Sequence, residues 1–299
     1  MSRSQGDLGS SQYYAASTTN PQGDDGTSPS GYLSADPSSN PLMHNWTSVY
    51  LKYCDGASFS GRKKDTSATG LYYRGGYALD ALLADLDANQ GLSTATDVVV
   101  SGCSAGGLAT FLHVDEYAER YTSANVVGMP DSGFFLDWDD EPDVNYEAEM
   151  TWVFKAQEAA GGVDKDCVAA HTATNDTWMC MFAEHTAEHI QSPIFPLQSK
   201  YDSWQTGNVL SPWATEDATN AFGAELTTRL INTVLDKPQN GAFLDACHHH
   251  CGNFNVMVTD GETQATAFAK WYNGDARNHF YNQDQAYPCD DCCAANPAA

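Results

Sequence analysis

Positive charge is scarce in this 299-residue chain: 14 Lys and Arg stand against 39 Asp and Glu, a formal net charge of −25. A surface so acidic repels nucleic acid and anionic membranes, both polyanions, and argues against either as a partner. Long hydrophobic runs are lacking too. No apolar stretch approaches the roughly 20 residues that a transmembrane helix needs, and no basic-then-apolar stretch opens the sequence to read as a signal peptide. Residues 1–41 have few large apolar side chains and are rich in Ser, Gly, Asp, Asn and Pro. They offer little surface to offset their ordering entropy, and read as a polar, loop-like N-terminal segment. Residues 42–299 are long enough for a single domain, which ends in a Cys-rich C-terminal tail.

Cysteine, by contrast, is abundant. Nine are present, several in close groups: Cys167/Cys180, Cys247/Cys251 and Cys289/Cys292/Cys293. Together with the sequons Asn45-Trp46-Thr47 and Asn175-Asp176-Thr177, they point to an oxidising compartment, hence to a secreted protein. Cys167 and Cys180 lie in one short region and are expected to pair, with the remaining disulfides pinning the CHHHC loop (247–251) and the C-terminal tail.

Short apolar runs alternate with segments of helical spacing. VYLKYC (49–54), DVVVSG (97–102), NVVGMP (125–130), PIFPLQ (193–198) and GAFLDAC (241–247) read as strands. Between and after them, YALDALLADL (77–86) gathers Tyr77, Leu79, Leu82, Leu83 and Leu86 towards one helical face. Leu108, Phe111 and Leu112 open another helix; Phe222, Leu226, Leu230 and Val234 recur every fourth residue, and Phe268, Trp271 and Tyr272 follow the i, i+3, i+4 rule. Strands alternating with helices predict an α/β architecture around a mostly parallel sheet with helices on both faces.

One strand-to-helix junction carries chemistry. Gly102-Cys103-Ser104-Ala105-Gly106 fits the G-x-S-x-G elbow, whose glycines permit a strained turn that lifts a serine hydroxyl above the sheet. The bland reading is a serine in a tight turn; the apolar run before it and the helical pattern after it favour a nucleophile. The amide of Ala105 would then form half of an oxyanion hole. A serine needs a base and a carboxylate, in the order Ser, Asp, His on this fold. Asp202 follows the strand PIFPLQ, and the histidine candidates are His248, His249 and His250. CHHHC could instead hold zinc, but adjacent residues converge poorly on one tetrahedral ion. No metal and no organic cofactor is expected.

At this point the chain resembles the pectin acetylesterase/Notum group of α/β-hydrolase-fold carboxylesterases. The likeness rests on seven ordered blocks: 45–61, 72–86, 101–110, 131–137, 196–205, 247–251 and 286–293, whose order and spacing look like the plant pectin acetylesterases. The resemblance implies Ser104 as nucleophile, Asp202 as triad acid and, through a C-x-x-H-C pattern, His250 as base, with Ala105 in the oxyanion hole. It leaves loop or substrate-contact roles to His248 and His249, and pocket-lining roles to Asp55, Gly56 and Ser58. Asp131 and Asp137 are expected to order the surroundings of the site, and Trp204 to pack. The reaction implied is removal of O-acetyl groups from a cell-wall polysaccharide such as pectin, through an acyl-enzyme. The family's Gly-Gly-Gly-Trp-Cys loop, a source of further oxyanion donors, has no counterpart here. The expectation is therefore a truncated chain lacking N-terminal strands, whose full-length form begins earlier with a signal peptide. The alternative function is that of a catalytically impaired relative that binds carbohydrate or a partner.

Overall fold

A computed structural model describes residues 31–53, 55–67, 70–138, 144–252, 254–275, 279–289 and 291–293. Residues 1–30 of the N-terminal segment and Cys54 lie outside the described residues. The strands are β1 (Asp97–Cys103), β2 (Asn125–Asp131), β3 (Leu197–Ser199), β4 (Ala242–Asp245), β5 (Val258–Thr259), β6 (Glu262–Thr263) and β7 (Phe280–Asn282). The helices are α1 (Gly75–Asn89), α2 (Ala105–Arg120), α3 (Tyr146–Ala156), α4 (Lys165–His171), α5 (Ala183–Ala187), the single turn α6 (Ser203–Gln205), α7 (Glu216–Thr233) and α8 (Gln264–Tyr272).

The main sheet has the order β1-β2-β3-β4-β7 and every neighbouring pair is parallel, whereas β5 and β6 form a separate antiparallel pair. Side chains that alternate along a strand face opposite sides of the sheet, and the core divides accordingly. Val98, Val126, Ala242 and Leu244 join one apolar cluster with Leu79, Phe111, Phe222, Leu226 and Leu230. Val127, Met129, Leu197 and Phe243 join a second cluster with Phe268 and Trp271. Helices thus cover both faces, as an α/β-hydrolase-like sheet requires, and the strands can be apolar on both sides because neither face meets water.

Several boundaries differ from the sequence expectation. Residues 49–53 form no strand: Val49 and Tyr50 are 48% and 70% exposed. They belong to no strand of either sheet among the described residues, and strand formation depends on a neighbouring strand as much as on apolar content. PIFPLQ shrinks to a bridge between Gly128 and Ile194 followed by the three residues of β3. Pro193 and Pro196 lack the N–H groups that a longer central strand would need. In α1, Leu79 and Leu83 are buried with Gly75 and Gly76, while Tyr77 and Leu82 face outwards. Part of the expected N-terminal loop is packed: Tyr32 sits edge-on to Phe254 at 5.8 Å, and the buried Asn40 donates to the carbonyls of Tyr32 and Ser34.

Candidate active site

β1 delivers the chain to Ser104 at φ 59° and ψ −117°, and α2 starts at the next residue. Such a backbone angle is uncommon for a side chain other than glycine and costs on the order of 1–3 kcal/mol. The surroundings hold it there: the Ser104 amide donates to the Asp131 carbonyl at 2.9 Å, and its carbonyl accepts from the Leu108 amide at 2.9 Å. Close packing makes two glycines obligatory. A Cβ on Gly102 would lie 2.7 Å from the carbonyl carbon of Gly106, and one on Gly107 would lie 2.4 Å from the Asp131 carbonyl oxygen. The Ser104 side chain makes no capping bond to α2, so its hydroxyl is not consumed by the helix. The amide of Ala105 belongs to the first turn of α2, where N–H groups lack partners within the helix and favour negative charge.

Asp202 follows β3 and caps α6. Its Oδ1 accepts from the amides of Trp204 and Gln205, both at 2.9 Å, and its carboxylate is fully buried. The other oxygen, Oδ2, lies 2.8 Å from Nδ1 of His250. Because an ionised carboxylate only accepts, Nδ1 of His250 is the donor, which leaves Nε2 of the neutral ring as the free acceptor. Phe135 and Trp204 flank the imidazole, each ring centroid 6.3 Å away.

A disulfide joins the serine and histidine segments. Cys103, immediately before Ser104, is bonded to Cys251, immediately after His250, with 5.8 Å between their Cα atoms. With consecutive Cα atoms about 3.8 Å apart, the Cα atoms of Ser104 and His250 lie within about 13 Å of each other. The loop is fixed further by hydrogen bonds to the end of β2. The Cys251 amide donates to Ser132 Oγ at 2.9 Å, the Gly252 amide to Asp131 Oδ2 at 3.4 Å, and Ser132 Oγ to Asp131 Oδ1 at 3.0 Å. Burial raises the Asp131 pKa, against the lowering influence of these bonds.

The other described cysteines pair as Cys167–Cys180, Cys247–Cys293 and Cys289–Cys292. Cys167–Cys180 is the expected bridge. Cys247 and Cys251 do not join each other but tie the CHHHC loop to the tail and to the elbow. The three imidazoles between them diverge to Thr206 Oγ1 (His248, 3.2 Å), the Asp245 carboxylate (His249, 3.0 Å) and Asp202 (His250, 2.8 Å). Three different partners are a poor arrangement for one zinc ion.

A family model described as Pectinacetylesterase matches residues 1–294. The chain belongs to the pectinacetylesterase family. Pectin acetylesterase 11 of Arabidopsis thaliana is 30% identical over 296 residues, covering 89% of this chain and 74% of its own length. Human palmitoleoyl-protein carboxylesterase NOTUM is 26% identical over 253 residues, covering 80% of this chain and 50% of the human protein. The crystal structure of the Wnt deacylase Notum from Drosophila shares the fold, with a TM-score of 0.77 at 20% identity over 90% of this chain and 80% of that one. Like these relatives, the chain is a carboxylic ester hydrolase.

Within this family member, the other residues singled out from sequence occupy distinct places. Asp55 is buried, and its carboxylate accepts from the amides of Ala57, Phe59 and Gly61 at 3.1, 3.2 and 3.1 Å. It also lines a cavity of about 170 Å³ with Lys52, Tyr72 and Arg74. Gly56 and Ser58 adopt positive φ in the same turn, and the Ser58 carbonyl lies 3.0 Å from Nε2 of His113. Asp137 pairs with His185 at 3.2 Å, away from the Asp202–His250 bond. Trp204 packs edge-on against Phe135 and Tyr146.

Sequence reasoning missed the His249–Asp245 pair and the Cys103–Cys251 bridge. His249 Nε2 is 3.0 Å from both oxygens of the fully buried Asp245. Burial works against charge on this imidazole, but the carboxylates of Asp245, Asp202 and Asp131 together outweigh it and raise the His249 pKa. A signal for the bridge was present: Cys103 occupies the variable position of the elbow motif, and Cys251 closes CHHHC.

Proposed function

We propose that the chain is a serine carboxylesterase that removes O-acetyl groups from a cell-wall polysaccharide such as pectin. Ser104 acts as nucleophile, His250 as base, Asp202 as the carboxylate that orients it, and the Ala105 amide as an oxyanion donor. The observation that carries the proposal is the 2.8 Å bond from the partly buried His250 Nδ1 to the fully buried Asp202, made from a loop bridged to the serine elbow. Asp202 fixes the tautomer, so that Nε2 can take the Ser104 proton as Oγ attacks the ester carbonyl. The imidazolium formed is stabilised by the buried carboxylate. It then protonates the departing sugar oxygen, releasing a free hydroxyl and leaving an acetyl-serine. Water, deprotonated by His250, hydrolyses this ester and releases acetate. The charge that develops on the carbonyl oxygen meets the unpaired amides at the start of α2.

The names of the plant relatives support the acetylated polysaccharide, and the four disulfides among the described residues support a secreted, extracellular or cell-wall setting. The test is acetate release from acetylated pectin by the chain and by Ser104→Ala. The substitution should abolish release and leave the thermal unfolding midpoint nearly unchanged. Equal release by the variant would remove Ser104 from the mechanism.

A further inference from the structure

Immediately beside the Asp202–His250 pair lies a cavity of about 450 Å³ whose walls include both segments that hold the pair. Ser203, next to Asp202, and Thr206 line it with His248 of the CHHHC loop, and Ser211, Glu216, Thr219 and Tyr287 complete the polar part of the lining. The cavity has a ligand-sized volume, within the usual range of about 300–1,000 Å³. It is also wetter than a typical core pocket, because hydroxyl groups, an imidazole and a carboxylate outnumber its aliphatic groups. Hydroxyls in such number suit a ligand that is itself a set of hydroxyls.

Two further features point to a sugar. Trp213 lies between the lining residues Pro212 and Ala214 and is 87% exposed, the most exposed large hydrophobic residue among those described. An indole face left in water beside a polar cavity is a platform for the C–H face of a pyranose ring, apolar on one side and hydroxylated at its edge. Inside, Tyr287 is rigidly presented. Its amide donates to Asn220 Oδ1 at 2.7 Å, Asn220 Nδ2 donates to its carbonyl at 2.9 Å, and its ring meets His248 edge-on at 5.5 Å. The floor is a π-helical turn, Thr206–Leu210, in which Gly207 lines the cavity, and a Cβ built there meets no atom within 4 Å.

Charge decides which sugar. Among the described residues the lining contains no Lys or Arg, and it contains Glu216. A uronate carboxylate would meet no fixed cation here and would face a like charge, whereas an uncharged pyranose could accept from His248 or Ser203 and donate to Glu216. We propose that this cavity, rimmed by Trp213, is a subsite for an uncharged pyranose unit of the glycan whose acetylated residue lies at Ser104. The inference rests on the esterase reading and narrows it: the enzyme prefers acetylated glycan regions with neutral sugars over stretches of uronate.

The test is binding, which needs no turnover. Affinities of xylotetraose and of tetragalacturonate are measured by calorimetry for the full chain and for Trp213→Ala and Gly207→Leu, with thermal melts to confirm folding. Trp213 is exposed and Gly207 faces open space, so both variants should fold. Xylotetraose should bind, and each substitution should weaken it about tenfold or more. Tetragalacturonate affinity should stay within about twofold in both variants. The proposal is overturned if xylotetraose does not bind, if neither variant weakens it, or if tetragalacturonate loses as much as xylotetraose. Failure of the esterase reading would show separately, as acetate release unaffected by Ser104→Ala.

Discussion

The Cys103–Cys251 bridge should contribute more to stability than Cys167–Cys180, and by a calculable amount. The first closes a loop with a sequence separation of 148, the second one of 13. In the chain-entropy picture, the loss of unfolded-state freedom grows with the logarithm of the loop, giving about 5 kcal/mol for the long loop and about 3 kcal/mol for the short one. Replacing both partners by alanine, as Cys103→Ala with Cys251→Ala, should therefore lower the urea midpoint by roughly 1–2 M, and Cys167→Ala with Cys180→Ala by about half as much. The two variants should differ in function as well. Without its bridge to the elbow, the His250 loop is anchored by the Cys251 and Gly252 amides at Ser132 and Asp131 and by Asp202. A misplacement of about 1 Å between base and nucleophile is enough for a 10²-fold loss of kcat. Urea unfolding followed by tryptophan fluorescence gives the first comparison, and acetate release under conditions where both variants remain folded gives the second. If Cys167→Ala with Cys180→Ala costs as much stability or more, the loop-entropy reasoning fails. If kcat survives loss of the Cys103–Cys251 bridge, the bridge does not align the site.

Asp202→Asn should lower kcat by about 10⁴-fold, because the amide favours the wrong His250 tautomer; acetate release within tenfold of the native rate would contradict the assignment. Gly107→Ala should destabilise the fold and impair activity together, since its Cβ would press on the Asp131 carbonyl at 2.4 Å, and a native melting temperature would show that the elbow can relax. The His249 pKa is raised in the folded chain by the carboxylates of Asp245, Asp202 and Asp131, against its burial. A group with a raised folded pKa contributes stability that is complete below its unfolded value, about 6.5, and is lost as pH rises through the folded value. The stability gap between the native chain and His249→Gln should accordingly narrow from pH 6 towards pH 9, and a gap independent of pH would show that His249 is not charged in the fold.

How much of this was legible in the sequence depends on whether a feature is set locally. The elbow was readable because everything that defines it lies within ten residues of Ser104 on either side: the β-branched run of β1, the small residues around Ser104 and the apolar spacing of α2. Phe222, Leu226, Leu230 and Val234 were readable for the same reason, and all four are fully buried. VYLKYC was not, since its apolar and aromatic content looks strand-like whether or not a partner strand exists. β7 escaped because its three residues, Phe280–Asn282, are too few to show a period; they become a strand only by pairing with β4.

The candidate site is the extreme case of this distinction. Ser104, Asp202 and His250 each follow a parallel strand, β1, β3 and β4, at its carboxyl end, where open α/β sheets collect their chemistry. Local pattern locates those strand ends but not their order, and β2 separates the serine strand from that of Asp202. Something must draw the His250 loop across the sheet edge towards the elbow. The buried Asp131, at the end of the intervening strand, does so by accepting the Ser104 amide on its carbonyl and the Ser132 hydroxyl and Gly252 amide on its carboxylate. A single residue of β2 therefore touches both halves of the site, and the Cys103–Cys251 disulfide closes over the same gap. Asp131, the first of the two acidic residues in DSGFFLD that were read from sequence as ordering the surroundings of the site, is the one through which the sheet transmits its order to the chemistry.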